Sequence, residues 1–401
     1  CVLLPRAPSL LHLPMPGMSP WMAMTGIFRY WIWSVSLQSL AAGSAEIVVR
    51  TAKLPGEGGM PMSGLGLCCR PTSGTPEVMR EIADFIQLGG RHLDSSVNYG
   101  NTKFVGESIR LAVSKGVPRE ELFFATKIEP EHFGSEPTQM VVSYALGEAQ
   151  LGHIDLVLLH QPASFTGEEL KRCGTHKQCR REAWQALEQL QEQGLVRHIG
   201  VSNYGIRHLE ELLEYARKPI AVNQIEYHPW VPETHHAVVR WCHAHRVAVT
   251  AYASLGSPYT TYTKRSAPDE KTTKERIGGI ASRLKRPWQQ VVLRWAIQHN
   301  VTVIPGTTKA SHMKQNLDLF DWSLSDEDMA IMDSVPEHER GIAFAHFVLD
   351  AAPEGINIGG FKIPESDGQG AGGVPAALAV ATAALGFGLW RCRRSGRAKA
   401  A

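Results

Sequence analysis

Across residues 46–340 the chain alternates short apolar runs with longer amphipathic stretches. The apolar runs are GLGL (64–67), RHLDS (91–95), LFFATK (122–127), IDLVLLH (154–160), RHIGVS (197–202), AVNQIEY (221–227), VAVTAYA (247–253) and VTVIPG (301–306). Runs of this length, rich in β-branched and aromatic residues, predict strands. Between them, TPEVMREIADFIQLGG (75–90) and REAWQALEQLQEQG (181–194) carry apolar residues at helical spacing, the first closed by glycine. Eight strand–helix units in roughly 290 residues predict an α/β fold, a (β/α)8 TIM barrel, for which about 250 residues is usual. A doubly wound open sheet is the alternative, but no GxGxxG follows the first strand.

Both ends break this pattern. Residues 1–45 read as a leader: after Met24 come one arginine, an apolar run and small residues up to Ala45, the order of a signal peptide. An apolar leader without targeting function is the alternative. Residues 341–370, rich in Gly, Pro and Ala, read as a tether. Residues 371–390 are uncharged and long enough to span a bilayer, and the basic tail 391–401 is the kind of flank that stays cytoplasmic. The expectation is a luminal barrel on a single membrane anchor, with a cytoplasmic barrel as the alternative.

Composition changes this picture little. A chain that is 43% hydrophobic and 20% charged reads as globular, and a net charge of +2 without a basic stripe offers no footprint for nucleic acid. Seven cysteines without a CxxC pair argue against a zinc ribbon or a disulfide scaffold. Cys173 and Cys179 are close enough to bridge in an oxidising compartment, but are read as reduced loop thiols.

In a barrel of this type chemistry sits at the C-terminal strand ends. Asp94 ends the second strand, with Tyr99 in the loop behind it; Lys127 ends the third strand and His160 the fourth. Singly, each has a bland reading: a helix cap, a snorkelling lysine, a satisfied loop histidine. Four such residues at one barrel mouth favour chemistry. A lysine cation near a phenol lowers its pKa, an aspartate holds that lysine charged, and a histidine orients a carbonyl oxygen. Nothing in the set is an obvious nucleophile, so a hydride donor is needed, with Tyr99 protonating the oxygen.

The ordered segments HLDSSVNYGN, FFATK, LVLLHQP, GVSNY, NQIEYHP, VTAYASLGS and VIPGTTKASHMKQNL resemble the successive motifs of the aldo-keto reductase family. The resemblance implies the same barrel and reduction of small aldehydes or ketones with a nicotinamide cofactor, with Asp94, Tyr99, Lys127 and His160 as the tetrad. It implies that Ser202, Asn203 and Gln224 hold the carboxamide, that Tyr252 stacks on the ring, and that Leu255 and Ser257 lie along the pyrophosphate. Pro305, Thr307, Thr308, Lys309 and Asn316 fall at the far end of the cofactor. Where many members carry a lysine and an arginine for the 2′-phosphate, this chain has Gly306 and His312, so NADPH comes first with NADH a competitor.

Two substrate-side tryptophans of many members are replaced by Cys68 and Gln161, which predicts an open, polar pocket; Trp230 is read as its remaining aromatic or, equally, as a packing residue. The loop at 163–181 carries five Lys or Arg and two Glu and is read as an attractor of acidic substrates or as a solvated loop. Residues 257–275 are a candidate lid. The reading is a monomeric barrel acting on a small-molecule carbonyl. A cofactor-binding regulatory module, as in potassium-channel β-subunits that resemble these reductases, is the alternative. A metal-dependent hydrolase comes third, because His228, His235, His236, His243 and His245 lie on a loop and helix rather than at strand ends.

Overall fold

The structure, a computed structural model, describes residues 49–56, 58–164, 167–256 and 271–336; for 271–274, 356–358 and 361–363 it describes the backbone alone. Among the described residues, eight parallel strands lie in sequential order: β1 Gly64–Gly66, β2 His92–Asp94, β3 Phe123–Ile128, β4 Ile154–Leu159, β5 Val196–Ser202, β6 Val222–Glu226, β7 Ala248–Tyr252 and β8 Val301–Val303. Ser63 bridges Val303 in parallel, and the Val303 N–H donates to the Met62 carbonyl at 2.9 Å. First and last strands therefore meet, and the sheet closes into the predicted barrel rather than staying open.

The strands are mostly apolar because both of their faces are covered. Every residue of β3 and of β4 is buried, which makes Lys127 and Asp155 within them conspicuous. Asp155, near the start of β4, meets Arg119 at 2.6 Å and accepts from the Phe124 backbone N–H of β3 at 3.0 Å, which ties the two strands together. Lys127 stands at the opposite end.

Among the described residues, eight helices wrap the outside: α1 Val78–Gln87, α2 Thr102–Ser114, α3 Ser135–Ala149, α4 His176–Glu192, α5 Ile206–Leu213, α6 Glu233–Ala244, α7 Trp288–Gln298 and α8 Ala310–Leu317. In α1, Val78, Ile82, Phe85 and Ile86 recur at helical spacing on the inner face. Gly89, at φ 93°, turns the chain just past that helix. Two further helices, Lys271–Leu284 and Asp326–Asp333, flank α7 and follow α8.

Several features differ from the sequence reading. An antiparallel pair, Thr51–Lys53 with Gly59–Pro61, precedes the barrel, and the Pro61 carbonyl lies 3.0 Å from His92 Nδ1 at the start of β2. That pair buries Ala52 and Met60 and closes the N-terminal end. The lid segment is helical from Lys271 onward; residues 257–270 lie outside the described residues. Within the tether, Ile356–Ile358 pairs with Phe361–Ile363, so it contains a short strand pair. The leader 1–45, the span 371–390 and the tail 391–401 lie outside the described residues, among which no helix is long and apolar enough to cross a membrane.

The cysteine expectation is corrected as well. Cys68 pairs with Cys69, and Cys173 with Cys179. Cys173 ends a one-turn helix and Cys179 sits in the first turn of α4, which brings their Cα atoms to 5.1 Å, within disulfide reach.

Candidate active site

The candidate site lies at the C-terminal strand ends. Asp94 is the last residue of β2, and Tyr99 closes the turn Val97–Tyr99 directly behind it. Lys127 is the penultimate residue of β3, and His160 follows β4 at once. Lys127 Nζ donates to Asp94 Oδ1 at 2.6 Å and to the Ser95 carbonyl at 2.8 Å. Gln224 Nε2, from β6, donates to Asp94 Oδ2 at 2.8 Å. Both aspartate oxygens are thereby satisfied, as a carboxylate that is only 3% exposed requires. The ammonium lies 5.3 Å from the centroid of the Tyr99 ring, and the His160 ring stands edge-on to that ring at 6.2 Å. The four residues expected to act together are together.

One expectation about them changes. Burial first, then the carboxylates of Asp94 and Glu129, push the Tyr99 phenol well above its ordinary range. Lys127 Nζ gives its hydrogen bonds to Asp94 and Ser95, and the raising influences on the phenol prevail. A phenol raised in this way keeps its proton at neutral pH.

The sequence reading missed Glu129. His160 Nδ1 is hydrogen-bonded to Glu129 Oε1, and Ser96 Oγ donates to the same oxygen at 3.3 Å. Burial would raise this carboxyl, but His160, Ser96 and Lys127 outweigh it and hold it below the usual range. The signal was available: residues two apart share a face at a strand end, so Glu129 accompanies Lys127.

A second group gathers across β4 to β7. Ser202 Oγ donates to the Gln224 carbonyl at 2.8 Å. Asn203, in the left-handed region at φ 60°, donates to the His160 carbonyl at 2.9 Å and accepts from the Tyr252 hydroxyl at 2.8 Å. Asparagine tolerates that backbone better than most residues, and its amide then points across the mouth. Leu255 is half-buried nearby in sequence; Ser257 lies outside the described residues.

Pro305 follows β8 and is buried, Thr307 is half-buried, and Thr308 and Lys309 are exposed at the N-terminus of α8. Thr307 Oγ1 accepts from the Lys309 backbone N–H at 3.2 Å. Asn316 is buried, and its carbonyl accepts from Ser63 Oγ at 2.7 Å, joining α8 to the entry of β1.

Residues 71–337 match the Aldo/keto reductase family. The chain belongs to the aldo-keto reductases. Its relatives include aldo-keto reductase family 1 member A1-A of Danio rerio, 32% identical over 297 residues, covering 71% of this chain and 88% of the relative. An uncharacterized oxidoreductase of Bacillus subtilis, YtbE, is 31% identical over 282 residues, covering 70% of this chain and 91% of the relative. Among solved structures, a Bombyx mori aldo-keto reductase in complex with NADP superposes with a TM-score of 0.64 at 27% identity, covering 73% of this chain and 94% of that one. An aldo-keto reductase from a deep-sea metagenome library gives 0.62 at 29% identity, with 73% and 97% covered.

Within this aldo-keto reductase, the expected substrate-side residues fare differently from the tetrad. Trp230 is 1% exposed and packs on the His228 ring at 4.6 Å. Gln161 is buried too, its amide donating to the Ala163 carbonyl at 2.9 Å rather than opening the pocket. Cys68 is half-buried and bonded to Cys69. The basic loop also spends its charges internally. Lys171 pairs with Glu168, Lys177 with Glu214 and Arg180 with Glu211; Arg172 donates to the Glu131 carbonyl and Arg181 lies over Tyr215. It forms a short helix and the start of α4 rather than a cationic funnel.

Gly306 gains a physical reason. A Cβ there would lie 2.7 Å from Arg70 Nη1. That guanidinium is held by the Gly66 carbonyl at 2.6 Å and by Glu81 at 2.7 Å. An arginine from the loop after β1 thus fills the space that a side chain at 306 would enter.

Proposed function

We propose that this aldo-keto reductase reduces aldehydes or ketones to alcohols by hydride transfer from NAD(P)H, with Tyr99 as the proton donor. The observation that carries the proposal is the buried Asp94–Lys127 pair beneath the Tyr99 ring, with His160 edge-on to it at a barrel mouth. A purely packing role does not account for two buried charges at this end of the barrel.

The residues present fit a nicotinamide. A carboxamide both donates and accepts, and the Ser202 hydroxyl with the Asn203 and Gln224 amides forms a matching set at one place. Tyr252 adds an aromatic face beside Asn203. The N-terminus of α8, with Thr307, Thr308 and Lys309, suits a phosphate. NADP in the Bombyx mori relative supports the phosphorylated cofactor first, while Gly306 and His312 keep NADH in competition.

When bound, the nicotinamide supplies the hydride to the carbonyl carbon. Tyr99 gives its phenolic proton to the oxygen as charge develops there. The Lys127 ammonium, 5.3 Å from the ring centroid, then faces the phenolate and compensates its charge. Asp94 holds that ammonium in place, and Gln224 holds Asp94. His160 orients the carbonyl oxygen toward Tyr99.

The test is a fluorescence titration of the full chain with NADPH and NADH, followed by a panel of aldehydes and ketones. Cofactor oxidation that depends on a carbonyl is the expected result. Binding without turnover on any carbonyl would transfer the reading to a cofactor-binding regulatory module.

A further inference from the structure

We infer that Glu129 is a positioning residue that fixes where His160 carries its proton. An ionised carboxylate on Nδ1 accepts a hydrogen bond and nothing else, so the neutral ring must carry its proton on Nδ1. Ser96 holds the carboxylate from behind by donating to the same oxygen. Nε2 has no hydrogen-bond partner among the described residues and is not sealed from solvent. In the neutral ring Nε2 is therefore an acceptor, and it becomes a donor only when the ring takes a second proton.

This inference rests on the reductase reading and divides its two directions. A carbonyl oxygen needs a donor at Nε2, so reduction uses the doubly protonated ring. An alcohol hydroxyl needs an acceptor, so oxidation uses the neutral one. The proton that reaches the substrate oxygen still comes from Tyr99; His160 supplies the hydrogen bond that aims it. The charged and titratable groups around this pair are Asp94 and Tyr99 from β2 and its turn, and Lys127, Glu131 and His132 from β3 and its turn. Glu169 and Arg172, after β4, stand beyond Glu131 and His132.

The direct test is a long-range 1H–15N spectrum of the full chain labelled with 15N-histidine, with His160 assigned by its loss in His160→Gln. A neutral ring protonated on Nδ1 in wild type, shifting toward Nε2 in Glu129→Gln, is the expected result. A wild-type ring protonated on Nε2 overturns the inference. This measurement needs no turnover, so it stands or falls separately from the reductase reading, and the wild-type spectrum decides even if the variant misfolds.

The second readout is the pH profile of kcat/KM, using NADPH with a reducible aldehyde and NADP+ with the matching alcohol. In wild type, reduction falls as the pH rises while oxidation rises. Glu129→Gln frees the Nε2–H form and flattens that limb in both directions; Glu129→Asp restores it. An unchanged limb in Glu129→Gln overturns the inference.

Discussion

Asp94 and Lys127, 33 residues apart in the chain, meet at 2.6 Å with side chains only 4% and 2% exposed. Removing one partner of a buried pair leaves an uncompensated charge, at a cost of about 3–5 kcal/mol. Lys127→Met and Asp94→Asn are each expected to lose stability on this scale in urea unfolding. The double variant Asp94→Asn/Lys127→Met should lose less than the sum, because neither charge is then stranded. Additive losses would show that the two are not energetically coupled.

Tyr99→Phe removes the phenolic proton and leaves the ring. Turnover is expected to fall by about 10²–10⁴, the usual contribution of a positioned acid. NADPH binding, followed by fluorescence, should stay within about twofold, because Ser202, Asn203 and Gln224 are untouched. Near wild-type reduction by this variant would remove Tyr99 from its role.

Gly306→Lys installs the side chain that many family members use for the cofactor phosphate. Here it meets Arg70 Nη1, which the Gly66 carbonyl and Glu81 hold in place. The expected outcome is a loss of about 1–3 kcal/mol, the usual cost of overpacking, without a gain in preference for NADPH. Arg70→Ala should relieve the clash when combined with Gly306→Lys, seen as a melting temperature above that of the single lysine variant. An unchanged melting temperature in Gly306→Lys alone would show that Arg70 moves aside freely.

His235, in α6, is 2% exposed, and burial pushes its pKa down from 6.5 to about 4. The unfolded chain therefore binds a proton that the folded chain refuses. This contribution is fully present above about 6.5 and is lost as the pH falls from there through about 4, with roughly 3 kcal/mol at stake. Urea unfolding from pH 7 to pH 4 should show the decline, with a shallower slope in His235→Gln. Equal slopes would mean that other groups carry the acid sensitivity.

Much of the site was legible because barrel chemistry follows local rules. Asp94, Lys127 and His160 end strands whose apolar runs are plain in the sequence, so their approximate placement needed only the fold class. The burial of Trp230 and Gln161 was not legible, because their neighbours in the chain do not say which way a loop side chain turns. The strand pair that closes the N-terminal end was invisible for a related reason. Its three-residue strands are too short to show a period.

What the sequence determined by itself was therefore the repeat: eight apolar runs, the helices between them and the polar residues at the run ends, all set by local periodicity. Only the tertiary structure decided the partnerships. That Asp94 meets Gln224, 130 residues away, and that Arg70 covers Gly306 both depend on barrel closure, which brings distant strand ends within hydrogen-bonding range. The direction of the Tyr99 shift belongs to the same class, because burial and neighbouring carboxylates exist only once the chain has folded.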